Sequence, residues 1–173
     1  MTDLHLVTKA AHYAAKAHRE HRRKDNVTPY INHLAEVAHL LATADCSATV
    51  VAAGYLHDTI EDVDVTYEML VDEFGSAIAD LVATVTDEEG LLKAERKARQ
   101  VEHAALASPE TAAIKLADKI SNLRSLIYAP PQGWGPVRLA EYVDWAHRVV
   151  SRLPEPNAIL LVRYQQIRAE YGH

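Results

Sequence analysis

Cysteine is almost missing from this chain. The single copy, Cys46, cannot form an internal disulfide, so the fold must rest on its apolar core. Glycine and proline are sparse, at 6 and 7 copies in 173 residues, which argues against disorder and low complexity. Aromatics make up only 6%. No apolar run approaches the ~20 residues that cross a bilayer. No basic segment leads into an apolar stretch near the N-terminus, so no secretory leader is expected. These absences point to a reducing, cytoplasmic setting. Positive charge is also in deficit: 18 Lys and Arg face 24 Asp and Glu, a formal charge of -6. A general nucleic-acid binder would show the opposite balance. The short basic run Arg19, Arg22, Arg23 and Lys24 is a local exception.

What the chain does contain favours helices. Apolar residues reach 49% and charged ones 24%, with Ala and Leu abundant. The length suits a single domain over 1–173, burying roughly 70% of its unfolded surface. Helical spacing of Leu6, Ala10, Tyr13, Ala14 and Ala17 predicts a first helix, capped by Asp3 and running to about His21. A loop follows from Lys24 to Pro29. A second helix from about Tyr30 carries His33, Val37, Leu40 and Leu41. Ser47 is a candidate cap for "ATVVAAGYLHDTIED", read as one helix, apolar nearly all round and therefore central. Thr66 can cap a short helix ending at Gly75, followed by the amphipathic "SAIADLVATVTD". A loop at Glu88 to Gly90 precedes a charged helix in "GLLKAERKARQVEHAALA". Ser108-Pro109-Glu110 then starts another helix with cap, proline and acid in order. After the break at Pro130, Pro131, Gly133 and Gly135, two helices at about 136–152 and 156–171 pack on the rest. The apolar run "NAILLVRYQQI" can face either the core or a second subunit, leaving monomer and homodimer both open. The expected fold is an all-α, single-domain bundle of eight to ten helices.

Four residues stand out on this framework: His33, the pair His57-Asp58, and Asp118. Each alone is weak, since an isolated His or Asp is usually a satisfied core or surface residue. Together they lie on three apolar helices, and bundle cores are a known place for metal sites. Two nitrogens and two oxygens suit Mn²⁺, Fe²⁺ or Zn²⁺ better than Ca²⁺. Such a metal lowers the pKa of water and polarises a phosphoryl oxygen. Glu61 and Asp62 follow directly. On one helix, Asp58 and Asp62 would share a face with Glu61. Adjacent acids repel, which raises one pKa and makes a better general base.

The order His…His-Asp…Asp is the signature of the HD phosphohydrolase superfamily. The segments "RRKDNVTPYINH", "LHDTIEDVDVT", "FGSAIADLVATVTD", "ERKARQVEH" and "KLADKISNLRSL" resemble the hydrolase domain of the RelA/SpoT homologue family. They look most like its small stand-alone members, the metazoan SpoT homologue type. The resemblance covers roughly residues 5 to 150. It implies an all-α enzyme with one Mn²⁺ per chain that removes the 3′-diphosphate of the alarmone (p)ppGpp as pyrophosphate, leaving GDP or GTP. His33, His57, Asp58 and Asp118 match the family's metal ligands, and Glu61 and Asp62 its paired water-activating acids. Arg23 and Lys24 match residues that pack on guanine. Asn122 matches a nucleotide contact, and Lys93, Arg138 and Tyr142 match groups near the phosphates. Two departures are visible: the Lys24–Pro29 loop is one residue shorter than in the animal members, and Leu34 stands where a proline usually follows the metal His.

The resemblance thus predicts a nucleotide as partner, while the acidic balance and the lack of a long apolar run argue against nucleic acid and membrane. It also predicts alarmone degradation without synthesis. The alternatives are a phosphohydrolase of another nucleotide, such as NADPH at its 2′-phosphate, and a non-catalytic alarmone-binding domain.

Overall fold

The structure, a computed structural model, describes residues 1–88 and 90–172. Among them are ten helices and no strand beyond an isolated bridge between Arg22 and Pro29. They run α1 (Asp3–Ala17), α2 (Ile31–Ala42), α3 (Ala48–Leu56), α4 (Thr59–Asp62), α5 (Tyr67–Phe74), α6 (Ser76–Val85), α7 (Lys93–Ala104), α8 (Pro109–Tyr128), α9 (Pro136–Val150) and α10 (Ala158–Tyr171). The expected all-α class is observed. Of the predicted loop at Glu88 to Gly90, Glu89 lies outside the described residues.

Two helices form the axis. In α3, Val50, Val51, Ala52, Ala53, Gly54 and Leu56 are all buried, as expected of a helix apolar on every side. It packs against α1, α2, α6 and α8. The 20-residue α8 starts where Ser108 Oγ accepts from the Thr111 backbone N–H at 3.2 Å, with Pro109 in the first turn. Its buried Ala112, Ala113, Leu116, Ala117, Ile120 and Leu123 meet α2, α6, α9 and α10. The apolar C-terminal run packs on the core: α10 lays Leu160, Tyr164 and Ile167 against α8.

Several boundaries differ from the sequence reading. Thr2, not Asp3, caps α1: its backbone is extended and its hydroxyl accepts from His5 N. The helix stops at His18 rather than His21, and the His18 ring is buried and stacks on Tyr30 at 5.0 Å. The most consequential correction falls in "ATVVAAGYLHDTIED". It is not one helix but α3 and α4, broken at His57-Asp58. Side chains there take carbonyls that a continuous helix gives to backbone N–H groups: Thr59 Oγ1 donates to Leu56 O at 2.7 Å, and His57 Nδ1 meets Gly54 O at 2.9 Å. Asp58 sits at φ -99°, ψ 2°, outside helical values.

α2 and α3 approach closely at Gly54. A Cβ there would stand 2.5 Å from Cδ1 of Leu41, itself fully buried. Gly54→Val should therefore destabilise the fold by about 1–3 kcal/mol through overpacking. Urea unfolding would show this as a lower midpoint at unchanged slope.

Candidate active site

The break between α3 and α4 brings four side chains to one point. His33 comes from the first turn of α2, His57 and Asp58 from the break, and Asp118 from the middle of α8. Ligand atoms of His33, His57 and Asp58 lie within 4.8 Å of one another. Asp58 Oδ2 is 3.5 Å from His33 Nε2 and 3.2 Å from His57 Nε2. Asp118 Oδ1 is 3.3 Å and 3.7 Å from the same two nitrogens. Both imidazoles are buried.

The far side of each ring fixes its tautomer. Gly54 O can only accept, so it takes a proton from His57 Nδ1. Ser121 Oγ gives its own proton to Glu36 Oε2 at 2.6 Å, and Arg124 stands 3.1 Å from that carboxylate. Ser121 Oγ is therefore an acceptor for His33 Nδ1 at 2.8 Å. Each Nε2 then turns a bare lone pair inward, and neither buried Nε2 has a hydrogen-bond partner. Bare nitrogens facing carboxylates repel unless something positive lies between them, either protons or a metal cation. Burial disfavours charge on His57, yet Asp58 and Asp118 outweigh it and hold its pKa well above 6.5. Burial likewise works against ionised Asp58, but positive charge on the neighbouring His57 keeps it well below the usual carboxylate range. Asp118 is held low in the same way, against burial, chiefly by Lys119. Such an arrangement fits a divalent cation, with both histidines neutral and both acids ionised.

The outer contacts complete the shell. Tyr30 Oη donates to Asp58 Oδ2 at 2.7 Å. Asn122 Nδ2 donates to Asp118 Oδ1 at 2.6 Å, and Lys119 Nζ lies 2.8 Å from Asp118 Oδ2. The Asp118–Lys119 pair is not a surface ion pair, since Lys119 is only 6% exposed.

Glu61 and Asp62 border the same centre from α4. Glu61 Oε2 accepts from the Asp87 backbone N–H at 3.3 Å, and Oε1 is 3.7 Å from Arg96 Nη1. Partial burial first, then repulsion from Asp87 and Asp58, lifts its pKa to about 6.

All twelve sequence-predicted site residues line one cleft of about 350 Å³. Arg23 Nη2 donates to Asn122 Oδ1 at 2.6 Å and to Ser125 Oγ at 3.3 Å, and its guanidinium lies over Tyr30. Lys24, Lys93 and Arg138 gather around one ring, that of Trp134, at 5.9, 5.8 and 4.2 Å from its centroid. Burial pushes the Tyr142 phenol up to about 12, so it stays a donor. The described lining holds nine Lys and Arg side chains against five carboxylates. Sequence reasoning missed Tyr30, Ser121, Lys119, Asp87, Gln100 and Trp134. For Trp134 a signal existed, a bulky ring between two glycines in a break; for the others nothing in the local pattern separates them from ordinary helix surface.

An HD-domain profile matches residues 10–143. The chain is 42% identical over 170 residues to the guanosine-3′,5′-bis(diphosphate) 3′-pyrophosphohydrolase MESH1 of Danio rerio, covering 96% of this chain and 94% of that protein. To the Homo sapiens protein of the same name it is 46% identical over 153 residues, covering 86% and 85%. A solved structure of a metazoan SpoT orthologue, described as hydrolysing ppGpp, superposes with a TM-score of 0.91 at 39% identity over 96% of each chain. The chain belongs to the HD-domain family. Within it, the chain is a homologue of the metazoan SpoT-type ppGpp hydrolases.

Ser121→Ala removes the acceptor that orients His33 while leaving all four inward-facing groups in place. Losing the partner that orients a metal-facing imidazole weakens metal binding about 10- to 100-fold. Titration of the variant with Mn²⁺, followed by calorimetry, should show that loss.

Proposed function

We propose that this protein hydrolyses (p)ppGpp, releasing pyrophosphate from the 3′ position, with the whole chain, α9 and α10 included, working as one hydrolase unit. The observation that carries the reading is the meeting, in one cleft, of the inward-facing His/Asp centre, an acid of raised pKa and a surplus of cations. The names and activity of the relatives supply the substrate class.

His33, His57, Asp58 and Asp118 would hold the cation, one per chain. Mn²⁺ is the ion proposed, with Zn²⁺ and Fe²⁺ as alternatives for the same mixed donor set. When bound it would polarise a phosphoryl oxygen and lower the pKa of water beside it. Glu61, with Asp62, orients the attacking water and takes its proton. The water oxygen attacks the phosphorus attached to the ribose 3′ oxygen, that P–O bond breaks, and the leaving 3′ oxygen takes up a proton, from Glu61 or from solvent, which returns Glu61 to its ionised form. Arg23 and Lys24 offer a planar cation and an ammonium to the guanine, and Asn122 a hydrogen-bonding edge. Lys93 and Arg138, with the Tyr142 hydroxyl, face the phosphates. The partner is a small nucleotide. Among the described residues no helix is long and apolar enough to cross a membrane.

Purified protein with Mn²⁺ should release pyrophosphate from ppGpp with a kcat/KM well above that for NADPH or a dNTP. Chelation, or Asp118→Ala, should abolish it. A base must be deprotonated to act, so kcat should fall as pH drops through about 6, where Glu61 takes up its proton. Glu61→Gln should lose about 10²–10⁴ in kcat, and that acid limb with it. Preference for NADPH phosphate release would overturn the substrate; full activity of Asp118→Ala would overturn the centre.

A further inference from the structure

Glu61 is poorly held by its own element. It lies near the end of α4, a four-residue helix beyond a chain break, and its side chain is 32% exposed. Its contacts come instead from Asp87, just past α6, and from Arg96 on α7. Asp87 is itself gripped. Gln100 Nε2 donates to both of its carboxylate oxygens, at 2.8 and 2.6 Å, and Arg96 Nε stands 3.5 Å from Oδ2. The amide of Gln100 has only one workable orientation. With its NH₂ on the carboxylate, its Oε1 faces the Lys119 ammonium at 3.5 Å; reversed, oxygen would meet carboxylate and NH₂ would meet ammonium. Lys119 in turn reaches Asp118 Oδ2 at 2.8 Å. A polar chain therefore runs unbroken from Glu61 through Asp87, Gln100 and Lys119 to Asp118.

We infer that Asp87 and Gln100 are positioning residues, and that this chain sets the Glu61 carboxylate at a fixed place relative to Asp118. The inference rests on the hydrolase reading above. It gives a role to α7, whose only buried residue is Ala104. α7 contributes little apolar burial, but it is braced by the Trp145 indole, which donates to Lys97 O at 3.0 Å. It thus holds one polar joint between the two sides of the cleft. A general base displaced by about 1 Å can cost on the order of 10²-fold in rate without altering binding.

Gln100→Met keeps the length of the side chain and removes both halves of the joint. Its kcat for pyrophosphate release should fall about 10- to 100-fold. KM should stay within about twofold and Mn²⁺ affinity should be little changed, because His33, His57, Asp58 and the cations at Trp134 lie off the joint and Asp118 keeps its own contacts from Lys119 and Asn122. Asp87→Asn keeps the backbone donor to Glu61 but removes a repelling charge. The groups facing Glu61 are then Asp58 and Asp62 on the negative side and Arg96 and Lys115 on the positive side. The acid limb of kcat should shift to lower pH in this variant. Wild-type kcat in Gln100→Met, together with an unmoved acid limb in Asp87→Asn, would overturn the inference and leave the hydrolase reading standing. So would a parallel loss of kcat, KM, metal affinity and thermal stability, which marks a plain structural pin. No pyrophosphate release by the wild type would overturn both readings.

Discussion

His33 and His57 turn bare ring nitrogens toward the carboxylates of Asp58 and Asp118, and much of the surrounding polar structure holds that confrontation in place. The Gly54 carbonyl and the Ser121–Glu36–Arg124 relay decide which nitrogen of each ring is bare. Tyr30, Asn122 and Lys119 occupy lone pairs of the acids, so the carboxylates cannot rotate away. Burying these groups costs free energy unless a positive charge is shared among them. The two imidazoles are buried in the apolar core between α2, α3 and α8, where water hardly reaches them, while the acids keep 18% and 16% of their side chains open to the cleft. A site of this kind makes its demand for a cation through packing.

The break between α3 and α4 is part of the same device. Neighbouring residues on a regular helix project about 100° apart, so His57 and Asp58 in an unbroken helix would point at different places. Leaving helical geometry at Asp58 brings its Oδ2 within 3.2 Å of His57 Nε2. The cost is a stub of a helix carrying the two acids that follow, and the placement of Glu61 is recovered through contacts from Asp87, just past α6, and Arg96 on α7.

Helices announced by caps and apolar spacing were readable from residue types alone: Ser108-Pro109-Glu110 opens α8, Ser47 caps α3, and Thr66 caps α5. The four inward-facing residues were legible as a joint pattern, because three apolar segments carried unusual polar groups, one on α2, one on α8 and the adjacent pair at the end of α3. What escaped was everything set by side chains bonding back to the backbone. The stop of α1 at His18 and the break at His57 depend on rings and hydroxyls finding partners far along the chain or across a turn, which periodicity does not encode. The second layer was hidden for a similar reason. Gln100 and Asp87 look like ordinary polar surface until the fold places them 2.6 Å apart.

The charge balance shows why a whole-chain number misleads about a ligand. A formal charge of -6 would repel a polyphosphate at long range, yet screening shrinks that field to about a Debye length of 8–10 Å in ordinary salt. Along the lining of the cleft the balance is reversed. Lys24, Lys93 and Arg138 are held near the Trp134 ring, and among the described residues none of the three has an ion-pair partner. A ring quadrupole can place a cation without neutralising it, whereas a carboxylate would cancel the charge. The three groups keep their positive potential for an incoming anion, and the acidic surplus elsewhere acts on the protein's solubility more than on its ligand.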